Sequence, residues 1–332
     1  MSAVVLKNLS TPEISGDVHT MQCMEVWGGN EAADSTMRMP GLDAWVYSRP
    51  YKGDAGGGDV HYLSRCGTGR IARLLVADVS GHGAAVNDIA INLRTLMRRY
   101  VNFLDQTKFV DSLNREFAGL TDSGLFATAV VGTYWAPTQY LVTCNAGHPP
   151  PFRYRARTKS WDLLEPMTDS KAGDLANIPL GIFDPTRYDQ FGARLERDDL
   201  VLIYTDSLIE AGPIVGQMLG TAGLLRILST LDASKPDRLI EALVRKIHEH
   251  AGTENLGDDA TVLLMRNTAE GAPKMNLKES LNAVWLFLGL VVARIGGGTT
   301  PIPWPEISVA NLLGPIFGRF NFRWGTTEGK LS

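Results

Sequence analysis

The chain has 332 residues, 44% hydrophobic and 20% charged, which is ordinary for a globular protein and long enough for one large domain or two modest ones. Its formal net charge of −4 argues against a nucleic-acid binder, which usually carries a basic face. Residues 1–273 hold 33 acids against 26 bases, while the stretch from Lys274 onward holds six bases against three acids, so an acidic body suited to divalent cations precedes a basic tail.

Residues 1–40 show little periodicity and read as an N-terminal extension. A strand follows over Asp43–Ser48, and the segment 41–268 reads as the main domain. Ile71–Val79 is a nearly unbroken apolar run, consistent with a buried strand. From Val86 the apolar positions 86, 89, 90, 93, 96, 97, 100, 101 and 104 recur at helical spacing, predicting an amphipathic helix. Thr107 is placed to cap a second helix carrying Phe109, Val110, Leu113 and Phe117. The period then shortens. Phe126–Trp135 and Gln139–Cys144 read as strands joined through a turn at Pro137, and Phe152–Arg157 with Trp161–Leu164 as a hairpin. Leu200–Tyr204 is a further buried strand, helices are predicted over 222–231 and 236–250, and Ala260–Met265 closes the domain as a strand. Short turns between neighbouring strands imply antiparallel pairing, and the helices come in blocks. The pattern is α+β rather than a doubly wound parallel sheet.

The acids fall at the strand ends. Asp78 follows Leu74-Leu75-Val76-Ala77, Asp206 follows Leu200–Tyr204, Asp258 and Asp259 precede Ala260–Met265, and Asp59 follows Gly56-Gly57-Gly58. One such acid is usually a turn residue or a helix cap. The joint pattern says more, because a carboxylate at the margin of a core seeks solvent, a donor or a metal. Several in one cleft repel each other unless cations neutralise them. Oxygen ligands alone favour hard ions such as Mg²⁺ or Mn²⁺. Asp78-Val79-Ser80-Gly81-His82-Gly83 also opens the long helix, whose free N–H groups attract an anion.

The ordered series GGD (57–59), DVSGHG (78–83), FATAVVGTY (126–134), NAGHPPP (145–151), PLGIF (179–183), YTDSLIEA (204–211) and GDDATVLLMR (257–266) resembles the SpoIIE-like bacterial branch of the type 2C metal-dependent (PPM) protein serine/threonine phosphatases. The likeness covers residues 41–268. It implies a four-layer α/β/β/α sandwich of two packed antiparallel sheets flanked by helices, with two Mn²⁺ or Mg²⁺ ions between the sheet edges. Carried over by position, Asp59, Asp78, Asp206 and Asp258 would supply carboxylates and Val79 a backbone carbonyl. Asp259 is adjacent and easily mistaken for Asp258. The implied reaction is hydrolysis of phosphoserine or phosphothreonine on a signalling protein by a metal-activated water, in the cytoplasm. Bacterial relatives of this kind often act on phosphorylated anti-sigma-factor antagonists. The alternative is a catalytically weak phosphatase-like scaffold that binds a signalling partner.

Some residues depart from that pattern or compete for roles. Ser207 stands where the resembled family usually has glycine, and is expected to restrict a backbone that glycine leaves free. His82 is a candidate general acid, with a loop-fixing role as its competitor. His148 is expected to pack in a turn, and Arg49, a candidate phosphate ligand, to be a surface arginine. Gly53–Gly58 lacks the Lys-Ser/Thr of a P-loop, and Val60 replaces the glutamate that would extend GGD into the diguanylate cyclase motif.

Residues 269–332 read as a separate tail. Ser280–Ala293 is uncharged apart from Glu279 just before it and Arg294 just after, and it is too short to span a bilayer. A packing helix is the favoured reading and peripheral membrane contact the alternative. Pro301–Pro305 is necessarily extended. Leu312, Ile316, Phe317 and Phe320 form an apolar face for this domain or another subunit, which leaves homo-oligomers open. Cys23, Cys66 and Cys144 are odd in number without CxxC spacing, so neither a disulfide framework nor a thiolate zinc site is expected. No secretory signal is visible at the start, and a reducing cytoplasm is the expected setting.

Overall fold

The computed structural model describes residues 18–67, 69–81, 84–101, 106–120, 124–164, 176–183, 186–212, 218–253, 256–270 and 329–331. The N-terminal strands are β1 (Val18–Thr20), β2 (Val26–Gly29), β3 (Ala33–Met39) and β4 (Leu42–Arg49), then β5 (Asp59–Arg65) and β6 (Ile71–Val79). Helices α1 (Ala84–Arg99) and α2 (Gln106–Leu120) come next, followed by β7 (Ala127–Trp135), β8 (Tyr140–Ala146), β9 (Phe152–Arg155) and β10 (Ser160–Leu163). After β11 (Gln190–Arg194) and β12 (Leu200–Tyr204) come α3 (Ser207–Glu210), α4 (Gly220–Thr230), α5 (Pro236–Ala251), β13 (Ala260–Asn267) and the terminal β14 (Gly329–Leu331).

The first sheet runs β1-β3-β4-β13-β12-β9-β10 and the second β14-β11-β8-β7-β6-β5-β2. Every pairing is antiparallel except β1 with β3.

Strand alternation explains the layering, since successive side chains point to opposite faces. On β6, Ala72, Leu74 and Val76 enter the core between the sheets, while Leu75, Ala77 and Val79 enter the core beneath α1 and α2. On β12, Val201 and Ile203 join the inter-sheet core, while Leu200, Leu202 and Tyr204 pack with α4 and α5. β12 is therefore apolar at every position and β6 at every position but Arg73 and Asp78, as expected of strands covered on both faces. The result is the expected four-layer α/β/β/α sandwich. The helices follow their apolar stripes: Val86, Ile89, Ala90, Leu93 and Met97 of α1 are buried with Phe109, Val110, Leu113 and Phe117 of α2.

The boundaries differ from the sequence reading in three places. Residues 18–39 contribute three strands, so the sheets begin before residue 41. Their lack of periodicity reflects edge positions: β1 is exposed throughout, and β3 buries Ala33, Met37 and Met39 between polar residues. Helix α1 ends at Arg99, although Tyr100 and Val101 remain buried beyond it. Helix α2 starts at Gln106, which places Thr107 inside it instead of at its cap. Of the tail, only residues 269–270 and 329–331 are described, and β14 extends the second sheet beside β11. The apolar stretch 280–293, the proline segment 301–305 and the face at 312–320 lie outside the described residues.

Leu74 is fully buried between the sheets. Leu74→Ala is expected to lower unfolding stability by about 2–5 kcal/mol, read from urea denaturation, because its neighbours cannot fully collapse into the space.

Candidate metal centre

Antiparallel pairing sets the start of β5 beside the end of β6, and the register places Asp59 opposite Asp78. Opposed residues in such a pair stand about 4.5–5.5 Å apart at Cα. By alternation with Leu63 on β5 and with Ala72, Leu74 and Val76 on β6, both carboxylates belong to the inter-sheet side. In the first sheet Tyr204 pairs with Val262, so Asp206 lies just past the end of β12 and Asp258 just before the start of β13. The two edges meet there. The Thr205 hydroxyl donates to Asp59 Oδ2 at 2.8 Å across the sheets. The Thr261 N–H donates back to Thr205 Oγ1 at 2.9 Å, which fixes that hydroxyl.

The glycines before Asp59 have steric reasons. A Cβ on Gly57 would fall 2.3 Å from Asp259 Oδ2. One on Gly58 would fall 2.9 Å from the Val79 carbonyl oxygen and 3.4 Å from Asp78 Oδ1. Any side chain at Gly58 would cover the carbonyl that sequence reasoning named as a ligand. Neighbouring Asp258 and Asp259 have different tasks. Asp259 accepts the N–H groups of Tyr51 and Gly58, tying the glycine loop to the first sheet. Asp258 is exposed, accepting the N–H of Asp259 at 2.8 Å.

Electrostatics register the crowding. Burial first, then the charge of Asp78, hold the Asp59 carboxyl well above the usual carboxylate range, against the hydrogen bonds of Thr205 and Thr261. Burial, followed by Asp206, Asp258, Asp259 and Glu210, pushes Asp78 from 3.8 up to about 7. Asp206 is raised by burial and then by Asp258, and Glu210 by burial and then by Asp206 and Asp258. These acids share one field. Among the described residues, however, no three His, Cys, Asp or Glu side chains converge closely enough to enclose an ion. The donors fit a hard divalent cation in chemistry, being carboxylate oxygens plus a backbone carbonyl left uncovered by Gly58.

The other sequence candidates separate clearly. His82 lies outside the described residues. His148 is buried, with Nδ1 2.8 Å from Thr128 Oγ1, and Thr128 is the register partner of Asp78. Asn145 holds the turn, its Oδ1 accepting His148 N–H at 2.7 Å and its Nδ2 donating to His148 O at 2.8 Å. Burial lowers the His148 imidazole to about 4, so it is neutral. Arg49 donates to the carbonyls of Ala33 and Ser48 and lies over the Tyr47 ring. Its strand parity puts it on the outer face of the first sheet, away from the acids. Ser207 opens α3 and is absent from the positive-φ residues, so it strains nothing and the expected restriction does not arise. Sequence reasoning missed Thr205 and the clamping role of Asp259. Neither carries a motif signal beyond its place beside a named acid.

Residues 68–268 match the family model described as Stage II sporulation protein E (SpoIIE). Among solved structures, the RsbU and RsbW domains of Rv1364c from Mycobacterium tuberculosis are 26% identical, with a TM-score of 0.57, covering 78% of this chain and 70% of that one. The phosphatase domain of SpoIIE from Bacillus subtilis, in a crystal form without domain swapping, is 15% identical with a TM-score of 0.52, covering 69% and 94%. RsbX in complex with magnesium is 16% identical with a TM-score of 0.50, covering 70% and 99%.

The raised Asp78 pKa has a consequence for stability. Between about 4 and about 7 the native state holds a proton that the unfolded chain has released, so this residue's contribution falls as pH rises. His61 and His148, both lowered to about 4 by burial, act with the opposite sign. The difference between wild type and Asp78→Asn cancels the histidines and reports the aspartate together with its coupling to Asp59. In urea unfolding with chelator present, the variant is expected to gain stability relative to wild type as pH rises across that window. A constant difference would contradict the burial and crowding of Asp78.

Proposed function

The chain belongs to the SpoIIE family of PP2C-type protein serine/threonine phosphatases, and on that premise we propose that it hydrolyses phosphoserine or phosphothreonine on a signalling protein with the help of two Mn²⁺ or Mg²⁺ ions. The observation that carries this reading is the gathering of acids from four strand ends at joined sheet edges, with Asp59 and Asp78 directly opposed. In this reading Asp59, Asp78, Asp206, Asp258 and the Val79 carbonyl hold the ions. Such ions, when bound, polarise phosphoryl oxygens and lower the pKa of water.

The protein's own part is positional. Thr205 orients the Asp59 carboxylate, Asp259 anchors the loop before it, and burial keeps Asp59 in a medium where charge acts strongly. His82 remains a candidate acid by sequence position. Magnesium in the RsbX structure supports the choice of a hard cation. The likeness to a protein with RsbU and RsbW domains supports a regulatory phosphoprotein partner, for which an anti-sigma-factor antagonist is the class we favour. Cys23, Cys66 and Cys144 form no disulfide, which suits a reducing cytoplasm. Among the described residues no helix is long and apolar enough to cross a membrane, and peripheral contact through the tail is retained as a proposal.

Turnover of para-nitrophenyl phosphate and of a phosphothreonine peptide is expected with Mn²⁺ or Mg²⁺ and is expected to vanish with EDTA. Activity insensitive to chelation would reject the two-ion reading. A folded protein inactive with every cation would favour the scaffold instead. Asp78→Asn and Asp206→Asn are each expected to cut turnover at least about a hundredfold without unfolding the protein, checked by steady-state kinetics beside circular dichroism.

A further inference from the structure

We propose that Asn30 is a positioning residue for the acid cluster, acting through the glycine loop without touching substrate. It follows β2, within the stretch that sequence reasoning set apart as an extension, and it is only 9% exposed. Its side-chain nitrogen donates to the Gly57 carbonyl at 3.0 Å and to Asn87 Oδ1 at 2.8 Å. Its own carbonyl accepts the Gly57 N–H at 2.9 Å. Asn87 belongs to the first turn of α1, so the contact joins that helix to the loop.

The three glycines each make way for a different polar group. A Cβ on Gly56 would fall 2.8 Å from Asn30 Nδ2 and 3.1 Å from Asn87 Oδ1. Gly57 makes room for Asp259, and Gly58 for the Val79 carbonyl. The loop is thus gripped on one side by Asn30, itself tethered to Asn87 of α1, and from the first sheet by Asp259. Asp59 is the next residue. A loop held before a cation arrives loses less freedom on binding, so the grip is converted into affinity. Asn30 thereby sets the spacing of Asp59, Asp78 and the Val79 carbonyl. This rests on the two-cation reading given above.

Asn30→Asp is a nearly isosteric test. The carboxylate loses both donors and adds a negative charge, which by Coulomb attraction alone would tighten a cation. The proposal expects the opposite: Mn²⁺ binding by calorimetry at pH 8 at least about tenfold weaker, with faster amide hydrogen exchange across Gly56–Asp59. Asn87→Ala, which spares the Gly57 contact, is expected to weaken Mn²⁺ about threefold, and it decides the matter if Asn30→Asp fails to fold. A merely structural role would lower the unfolding midpoint and leave Mn²⁺ affinity unmoved. Unchanged or tighter Mn²⁺ binding in folded variants overturns the proposal. A wild type that binds no Mn²⁺ overturns the two-cation reading itself, and this inference with it.

Discussion

Like charges pressed together where two sheet edges meet are the constraint on which this molecule turns. Asp59 is buried and Asp78 partly so; the charge of Asp78 raises the Asp59 pKa, and Asp206, Asp258 and Asp259 raise that of Asp78. Carboxylates left to themselves in such a medium would separate or stay protonated. Keeping them together requires a rigid frame, and much of the local structure supplies it.

The frame has three parts. Antiparallel pairing makes strand ends coincide, which puts an acid from the start of β5 against one from the end of β6 and repeats the device with β12 and β13. Apolar cores on both sides of each sheet hold those strands in register, because a slip of one residue would send every side chain shaped for one core into the other. Hydrogen bonds then join the two edges. Thr205 links the first sheet to Asp59, and Asp259 links it to the glycine loop. Asn30, beyond the end of β2, binds the same loop and donates to Asn87 of α1, which ties the loop to the helix layer.

Polar groups that hold the site leave little trace in a linear sequence. Thr205 reads as an ordinary strand-end hydroxyl, and its partner is 146 positions away. Asn30 lies in a stretch with no strong period, because β2 is an edge strand with half-buried residues. Ser207 read as a strained replacement for glycine, yet the chain turns into α3 at that point and serine fits without a positive φ. Its neighbour Asp206 is helical in backbone, which a motif comparison cannot reveal. Arg49 looked available to a phosphate, whereas strand parity sends it to the opposite face, over the Tyr47 ring.

By itself the sequence determined the α+β class, the principal buried strands and amphipathic helices, and the fact that acids cluster at strand ends. Those properties are local, carried by the period of apolar residues and by which residue follows the last one. Only the tertiary structure decided that residues 18–39 belong to the sheets, that Asp258 is left exposed while Asp259 clamps a loop, and that each glycine from Gly56 to Gly58 yields to a different polar group. The reason is physical. Edge pairing, cross-sheet hydrogen bonds and steric close approach depend on distances between segments remote in the chain, and no local period encodes them.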